Sequence, residues 1–428
     1  MTAVGEILAD EMAKATARNQ RGEARTSDQV GGAWRGTVDD EGFTLEETPP
    51  QTEKITNWDG VLQHFGLDPE IFEVVDDTVR ISSWQQSKAS EDLERTTVWL
   101  YSYKARFTRI KNKIPGNDLT ALHESIMKWK PLVRKAPGSG LGAPSTFYVG
   151  LADWQYGKSA GGGVEVTTQA ILDTYEEAVK RLKELRKIGR NVEAIAMWNM
   201  GDPTEECDGH YDSQLATVEL TRREQLLGVS GLWAVGIKTL APLVDDFEFG
   251  SVLCNHGEWT RKGPGSKPVT SDSDNIGGYL AENLKMIFDE REDFSHVRWN
   301  IPHDEMTVTS EMSGVLVALA HGHKTPGTPK ELDWLRGQSI RILREEGVDP
   351  RLWMTAHRHH YQANDFGAWT RLQHPSLDGG SKWYTDTSGQ WSTAGTLTCL
   401  VGLHDQAGGS LQSGGRGYSD ELILNTRP

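Results

Sequence analysis

The sequence predicts an α/β fold preceded by a small α+β module, and three observations carry that prediction. From Ser145 onward, short apolar runs alternate with longer amphipathic stretches, the pattern of strands feeding helices. These runs end in polar, metal-competent residues, as expected where an α/β sheet holds its site at the carboxyl ends of its strands. Upstream of Ser145 the pattern differs: a polar arm, a short alternating segment and a Gly/Pro-rich connector.

The 428 residues suggest two or three domains. With 37% hydrophobic and 25% charged residues, the chain reads as soluble and globular. A formal net charge of -16 argues against a protein that coats nucleic acid over its whole surface, but allows a local basic site. The 3 cysteines, Cys207, Cys254 and Cys399, form no CxxC and no disulfide framework, so reduced thiols are expected. The first residues lack a basic segment followed by an apolar one, and no apolar run approaches membrane-spanning length. A cytoplasmic protein that does not engage membranes is expected.

Taken in order, residues 1–18 could form a short amphipathic helix, and 1–56 as a whole read as a polar arm or linker. Residues 57–136 read as a small module in which Asn57 caps a short helix, 58–65, stopped by Gly66. Within it, 96–110 (TTVWLYSYKARFTRI) alternates like a strand. Between Lys88 and Lys135 there are 11 Lys/Arg against 5 Asp/Glu, interleaved with Trp99, Tyr101, Tyr103, Phe107 and Trp129. Stacking rings among cations suit a nucleic-acid surface; an ordinary solvated face of an α+β domain is the competing reading. Residues 137–145 form a linker, and 146–428 the main domain.

In the main domain, strands are predicted at 146–153, 192–200, 249–254 and 314–320, with a further apolar run at 352–355. Helices are predicted at 168–189, 213–240 and 275–290. Residues 365–428 are expected to complete a second sheet.

Each strand ends in a residue able to hold a metal: 153-DWQ-155, 201-GD-202, 255-NHGE-258, 321-HGH-323 and 357-HRH-359. A single strand-end Asp is more often a turn residue, and one His is commonly a satisfied polar side chain. Five such endings in order are hard to explain as turn chemistry. Imidazoles at i and i+2, like His357 and His359, point to one side of an extended chain.

These motifs resemble the calcineurin-like metallophosphoesterase superfamily, which reads D-x-H, GD, GNH-D/E, H and GHxH on a four-layer α/β/β/α sandwich. The resemblance covers about residues 146–400. It implies that Asp153 binds a first metal with Gln155 and His359, that Asp202 bridges two metals, and that Asn255, His321 and His357 bind the second. It makes His256 the group that contacts the scissile phosphate and serves the leaving oxygen, with Glu258 orienting it. The sequence departs from the family at Gln155, where a histidine is usual, and an amide oxygen is the weaker donor. Gly257 sets Glu258 one place late, and Cys254 and Ala356 replace glycines. His323 and His360 have no implied role.

The activity that the resemblance implies is that of a two-metal phosphodiesterase, with Mn²⁺ the leading candidate and Mg²⁺, Fe²⁺ or Zn²⁺ allowed. Two cations about 3.5–4 Å apart clamp the phosphate and acidify the attacking water to a hydroxide. The HGH and HxH motifs look similar to the nuclease subunit of double-strand-break repair complexes, which implies a DNA nuclease. Lys158, Arg261 and Lys262 stand near the motifs, where they could meet substrate phosphates. Two other readings stay open: a small-molecule or cyclic-nucleotide phosphodiesterase, and a catalytically weakened DNA-binding or structural protein with Gln155 as the first sign of decay. Assembly as a homo-oligomer or with a repair-complex partner is also open. The Trp- and Gly-rich composition would suit a phage gene.

Overall fold

The computed structural model describes residues 34–39, 42–65, 72–89, 95–109, 119–130, 142–211, 214–259, 271–325, 330–378, 389, 393–403 and 416–427. The chain divides into two units, the smaller built mainly from Met1–Lys113 and the larger from Ile114–Cys207, Val218–Lys262 and Ser266–Pro428. The helix expected at 1–18 and most of the connector at 137–145 lie outside the described residues.

In the smaller unit, strands β1 (Arg35–Asp39), β2 (Gly42–Glu47), β3 (Phe72–Val74), β4 (Arg80–Ala89) and β5 (Arg95–Arg109) form one sheet around the long β5, with helix α1 (Asp59–Phe65). β1 and β2 fall within the segment read from sequence as a polar arm. Their period-2 pattern is short, but it drives Phe43 and Leu45 into a core with Val61, Leu62, Tyr103 and Phe107. The aromatic run of β5 splits accordingly. Tyr103 and Phe107 are core residues, whereas Trp99 is 49% exposed. On β4, Trp84 is also exposed.

The larger unit begins with helix α2 (Leu119–Lys128), which the sequence pattern had placed in the upstream module. Ile126, Leu122 and Trp129 pack into the larger unit's core, and Arg291 Nη1 donates to the Trp129 carbonyl at 2.6 Å. Strands β6 (Ser145–Leu151), β7 (Val192–Asn199), β8 (Asp246–Ser251) and β9 (Val297–Asn300) run parallel. They are joined by β15 (Thr396–Val401) and β16 (Tyr418–Leu424) in a six-stranded sheet, order β16-β15-β6-β7-β8-β9. A second sheet has the order β10-β11-β12-β14-β13, from β10 (Val308–Met312), β11 (Val315–Leu319), β12 (Leu352–Thr355), β13 (Gln362–Asp365) and β14 (Thr370–Gln373).

Alternation along the strands sorts the side chains. On β7, Ala196 and Trp198 enter a core shared with Val317 and Leu319 of β11 and Met354 of β12. Ile195 and Met197, on the other face, pack with helices α3 (Gly163–Lys187), α4 (Arg222–Leu240) and α5 (Ile276–Phe288). Trp353 of β12 faces away from the shared core, against Leu335 and Ile342 of helix α6 (Lys330–Glu346). The C-terminal region therefore does not all complete the second sheet: β14 does, but β15 carries Leu397, Cys399 and Val401 into the shared core from the six-stranded sheet. α4 starts at Arg222, later than the 213 expected, because Thr221 and Glu224 close a capping box there. By length and composition Arg222–Leu243 would span a bilayer, contrary to the sequence-based expectation. Here it is a core helix, with Val229, Trp233, Ile237 and Leu240 fully buried.

Candidate metal centre

Asp153 follows β6, Asp202 follows β7, Asn255 and His256 follow β8, His321 follows β11, and His357 and His359 follow β12. Parallel pairing of β6 with β7, β7 with β8 and β11 with β12 brings these endings to one edge of each sheet. The backbone turns sharply at each exit. Asp153 (φ 49), Gln155 (φ 44), Asp202 (φ 48), His357 (φ 72) and His359 (φ 56) all adopt left-handed conformations that non-glycine residues rarely hold. Among the described non-glycine residues, five of the eight with left-handed backbone are these candidate residues, which singles out this edge as the candidate site.

Asp202, His321 and His357 offer ligand atoms that all lie within 4.8 Å of one another. Asp202 and His321 are fully buried. The His321 Nδ1–H donates to the Met200 carbonyl at 2.8 Å, so Nε2 is the nitrogen turned towards the other candidate ligands. That Nε2 stands 3.0 Å from Asp202 Oδ2 and 3.0 Å from Asn255 Oδ1. Asp202 Oδ1 accepts the His256 backbone N–H at 2.9 Å. Nε2 thus faces two oxygen acceptors, an arrangement that needs a positive charge among them, either a proton on Nε2 or a cation in its place.

The protonation preferences express the same demand. Burial alone would raise the Asp202 carboxyl, but the imidazoles of His321 and His256 hold it well below the usual carboxylate range. Burial alone would lower His321, yet Asp202 holds it above its ordinary value. His357 is pushed well below its ordinary value by burial and then by His321, so it stays neutral, the form that binds metals. With the Nε2 proton of His321 given up to a cation, a carboxylate, an amide oxygen and two imidazoles form a donor set that fits one divalent ion.

His256 Nδ1 lies 2.8 Å from the Glu205 carbonyl, with the Glu205 carboxylate at 3.9 Å. The acid that adjoins His256 is therefore Glu205, which the sequence pattern did not single out. Glu258, expected in that role, takes Lys324 at 2.9 Å and stands 3.8 Å from His323 Nε2. The extra Gly257 has a steric cause: a Cβ there would fall 2.4 Å from Asn275 Oδ1, whose side chain caps α5. His323 has a side chain only 6% exposed, with its ring 5.5 Å from that of His321, and burial followed by the His321 charge holds its pKa well below the ordinary value. His360 Nδ1 bonds the Arg358 carbonyl at 2.8 Å.

The other half of the expected set is arranged differently. Asp153 Oδ2 accepts the His357 backbone N–H at 3.1 Å, and Asp153 Oδ1 lies 3.3 Å from His359 Nε2. Burial would lower His359, but Asp153 and then Asp378 raise it to about 9. Lys158, expected to meet substrate, is 14% exposed; its ammonium donates to Gln155 Oε1 at 2.8 Å and Asp378 Oδ2 at 2.7 Å. Burial opposes the Lys158 charge, but Asp378 and Glu205 more than offset it and raise its pKa. Asp378 had no signal in the sequence beyond a Gly-rich loop. Arg261 and Lys262 lie outside the described residues.

No protein-family model matches the sequence, and no curated protein matches it. Among solved structures, the chain is similar to an archaeal phosphodiesterase at 11% identity, over 65% of this chain and 99% of the other, with a TM-score of 0.28. It is also similar to Vps29 of Entamoeba histolytica, solved with zinc, at 11% identity over 59% of this chain and 84% of the other (TM-score 0.26). A third is a predicted phosphoesterase of Streptococcus pneumoniae, 13% identical over 49% of this chain and 83% of the other (TM-score 0.22). At this level of similarity the reading of the site rests on its own geometry.

Proposed function

We propose that the protein is a metal-dependent phosphodiesterase with the calcineurin-like four-layer α/β/β/α fold. The observation that carries this reading is the convergence of Asp202, Asn255, His321 and His357, from four strand ends, around one position that calls for a cation. Two sheets sharing one core, each with helices on its outer face, support the fold assignment.

Asp202, Asn255, His321 and His357 would hold a divalent cation, which would supply Lewis-acid polarisation of a phosphoryl oxygen and a more acidic bound water. His256 supplies the proton-transfer group: with Nδ1 on the Glu205 carbonyl, its Nε2 is the nitrogen that exchanges a proton with the leaving oxygen. The hydrogen bond from the His256 backbone N–H to Asp202 fixes the His256 backbone beside the candidate cation ligands, and the Glu205 carbonyl orients its ring. Buried walls around the set, among them Met200, Val252 and Ala356, keep the local dielectric low and strengthen each charge interaction.

DNA is the substrate we favour, from the basic, aromatic-laced segment 88–135. Tyr103 and Phe107 are buried, and Tyr101 and Trp129 pack against the cores of two different units, which leaves Trp99 as the exposed ring of the five and favours the second reading, a small phosphodiester. The test is hydrolysis of bis-(p-nitrophenyl) phosphate and of end-labelled DNA with Mn²⁺, Mg²⁺ or EDTA. Metal-dependent cleavage of DNA supports a nuclease, and cleavage of the aryl ester alone supports the small-substrate reading. No cleavage of either by metal-loaded protein sinks the enzyme reading.

A further inference from the structure

We propose that the site holds one divalent cation rather than two, and that the Lys158 ammonium, clamped by Gln155 and Asp378, is the fixed positive charge at the second position. The inference rests on the phosphodiesterase reading above.

Four observations lead to it. The Lys158 Nζ occupies Gln155 Oε1, the donor that a cation there would need, at 2.8 Å. Its second partner, Asp378 Oδ2, is a buried carboxylate 2.7 Å away, so the ammonium is paired and not simply placed near the site. The backbone holds Lys158 in place: its N–H donates to the Gln155 carbonyl at 3.2 Å, and it bridges Val218. Finally, the pair is built into the fold. Ser376 Oγ donates to the Asp153 carbonyl at 2.7 Å and lies 2.8 Å from Asp378 Oδ1, tying Asp378 to the strand end that carries Asp153 and Gln155.

The charges are consistent with this arrangement. Asp153 and Asp378 flank His359, with Nε2 3.3 Å from one and Nδ1 3.7 Å from the other. A dication ligated by Gln155 would have to displace the ammonium from Oε1, and two positive charges on one amide oxygen repel. Gln155 and Lys158 thus form a matched pair. A neutral histidine at 155 would offer the ammonium a single ring nitrogen that a metal ion binds more strongly, whereas the amide oxygen is the weaker metal donor and a ready acceptor for the ammonium. An ammonium can neutralise a phosphate's charge as a cation does, but it cannot acidify a water in the same way, so the water-activating role falls to the Asp202 set.

The test is metal counting. Purified protein is stripped with chelator, reloaded with Mn²⁺, desalted, and measured by native mass spectrometry and electron paramagnetic resonance. One Mn²⁺ per chain with a mononuclear spectrum is expected for the wild type. The Gln155→His/Lys158→Ala variant is expected to take up a second Mn²⁺ and show exchange coupling. Two ions in the wild type overturn the inference and leave the phosphodiesterase reading standing. No bound ion overturns that reading, and the inference with it. A folded double variant that still holds one ion overturns the role given to Lys158. Should the double variant not fold, Lys158→Met keeps the aliphatic stem and drops the charge. It is expected to bind a second ion at Mn²⁺ concentrations where the wild type binds one, and equal stoichiometry overturns the proposal.

Discussion

The Asp202 carboxylate accepts the backbone N–H of His256 at 2.9 Å, while its other oxygen lies 3.0 Å from His321 Nε2. One side chain therefore joins a candidate cation ligand to the backbone of the residue that carries the proposed proton-transfer group. Asp202→Asn keeps an acceptor for the amide but removes the charge that His321 and the cation require. We expect folded protein whose Mn²⁺ affinity, measured by calorimetry, drops by more than the roughly 10–100-fold that loss of an outer partner costs. Unchanged affinity would remove Asp202 from the ligand set.

His256→Ala should separate binding from turnover. The imidazole ring makes no part of the Asp202, Asn255, His321, His357 set, so metal stoichiometry should hold while kcat falls about 10²–10⁴-fold. Loss of the metal in this variant would contradict the role assigned to His256.

Gly201 adopts φ +104, and a Cβ there would fall 2.3 Å from His321 Nδ1, the atom that bonds Met200. Gly201→Ala should therefore displace the His321 ring and strain the turn, costing about 1–3 kcal/mol from the backbone alone. Calorimetric unfolding of the metal-free protein reads the stability loss, and Mn²⁺ titration reads the displaced ligand. A variant with wild-type values for both would show that the turn is not confined by His321.

His374 gives a pH dependence outside the ligand set. Its Nδ1 lies 2.7 Å from the Thr355 carbonyl and its Nε2 3.0 Å from the Tyr148 hydroxyl, and burial lowers its pKa from 6.5 to about 4. Between these values the unfolded chain binds a proton that the folded one does not, so stability is full above pH 6.5 and falls as pH drops towards 4. The loss totals about 3 kcal/mol at roughly 1.4 kcal/mol per pH unit. Denaturant midpoints of the wild type and His374→Gln across this range should differ in slope by one proton. Parallel curves would mean that His374 is accessible to protons in the folded state.

In the smaller unit, exposed and buried aromatics should behave differently. Phe107 is fully buried, so Phe107→Ala should destabilise that unit by about 3–5 kcal/mol. Trp99→Ala should leave stability nearly unchanged and weaken single-stranded DNA binding by about 1–3 kcal/mol, if the surface stacks on bases. Affinity for DNA that does not change with Trp99→Ala, or with salt, would leave the DNA assignment without its surface.

Much of the site could be read from the sequence because its signals are local. An apolar run that ends in Asp, Asn or His states both a strand and a candidate ligand at its tip, as at Asp153, Asp202, Asn255, His321 and His357, and the structure puts each of these directly after a strand or its exit turn. The alternation that buries one face and then the other is equally local, so β6, β7, β11 and β12 lie within a few residues of the expected strands. Only the tertiary structure decided which charges meet. Asp378 reaches Lys158 across 220 residues, and Glu205 reaches His256 across 51. It also decided that Lys158 is spent inside the site rather than offered to a substrate, and that Tyr103 and Phe107 are core. A residue's type and its neighbours along the chain fix its conformational preference. Its ionic partner depends on which distant loops the packed sheets bring within hydrogen-bonding reach, and no local pattern encodes that distance.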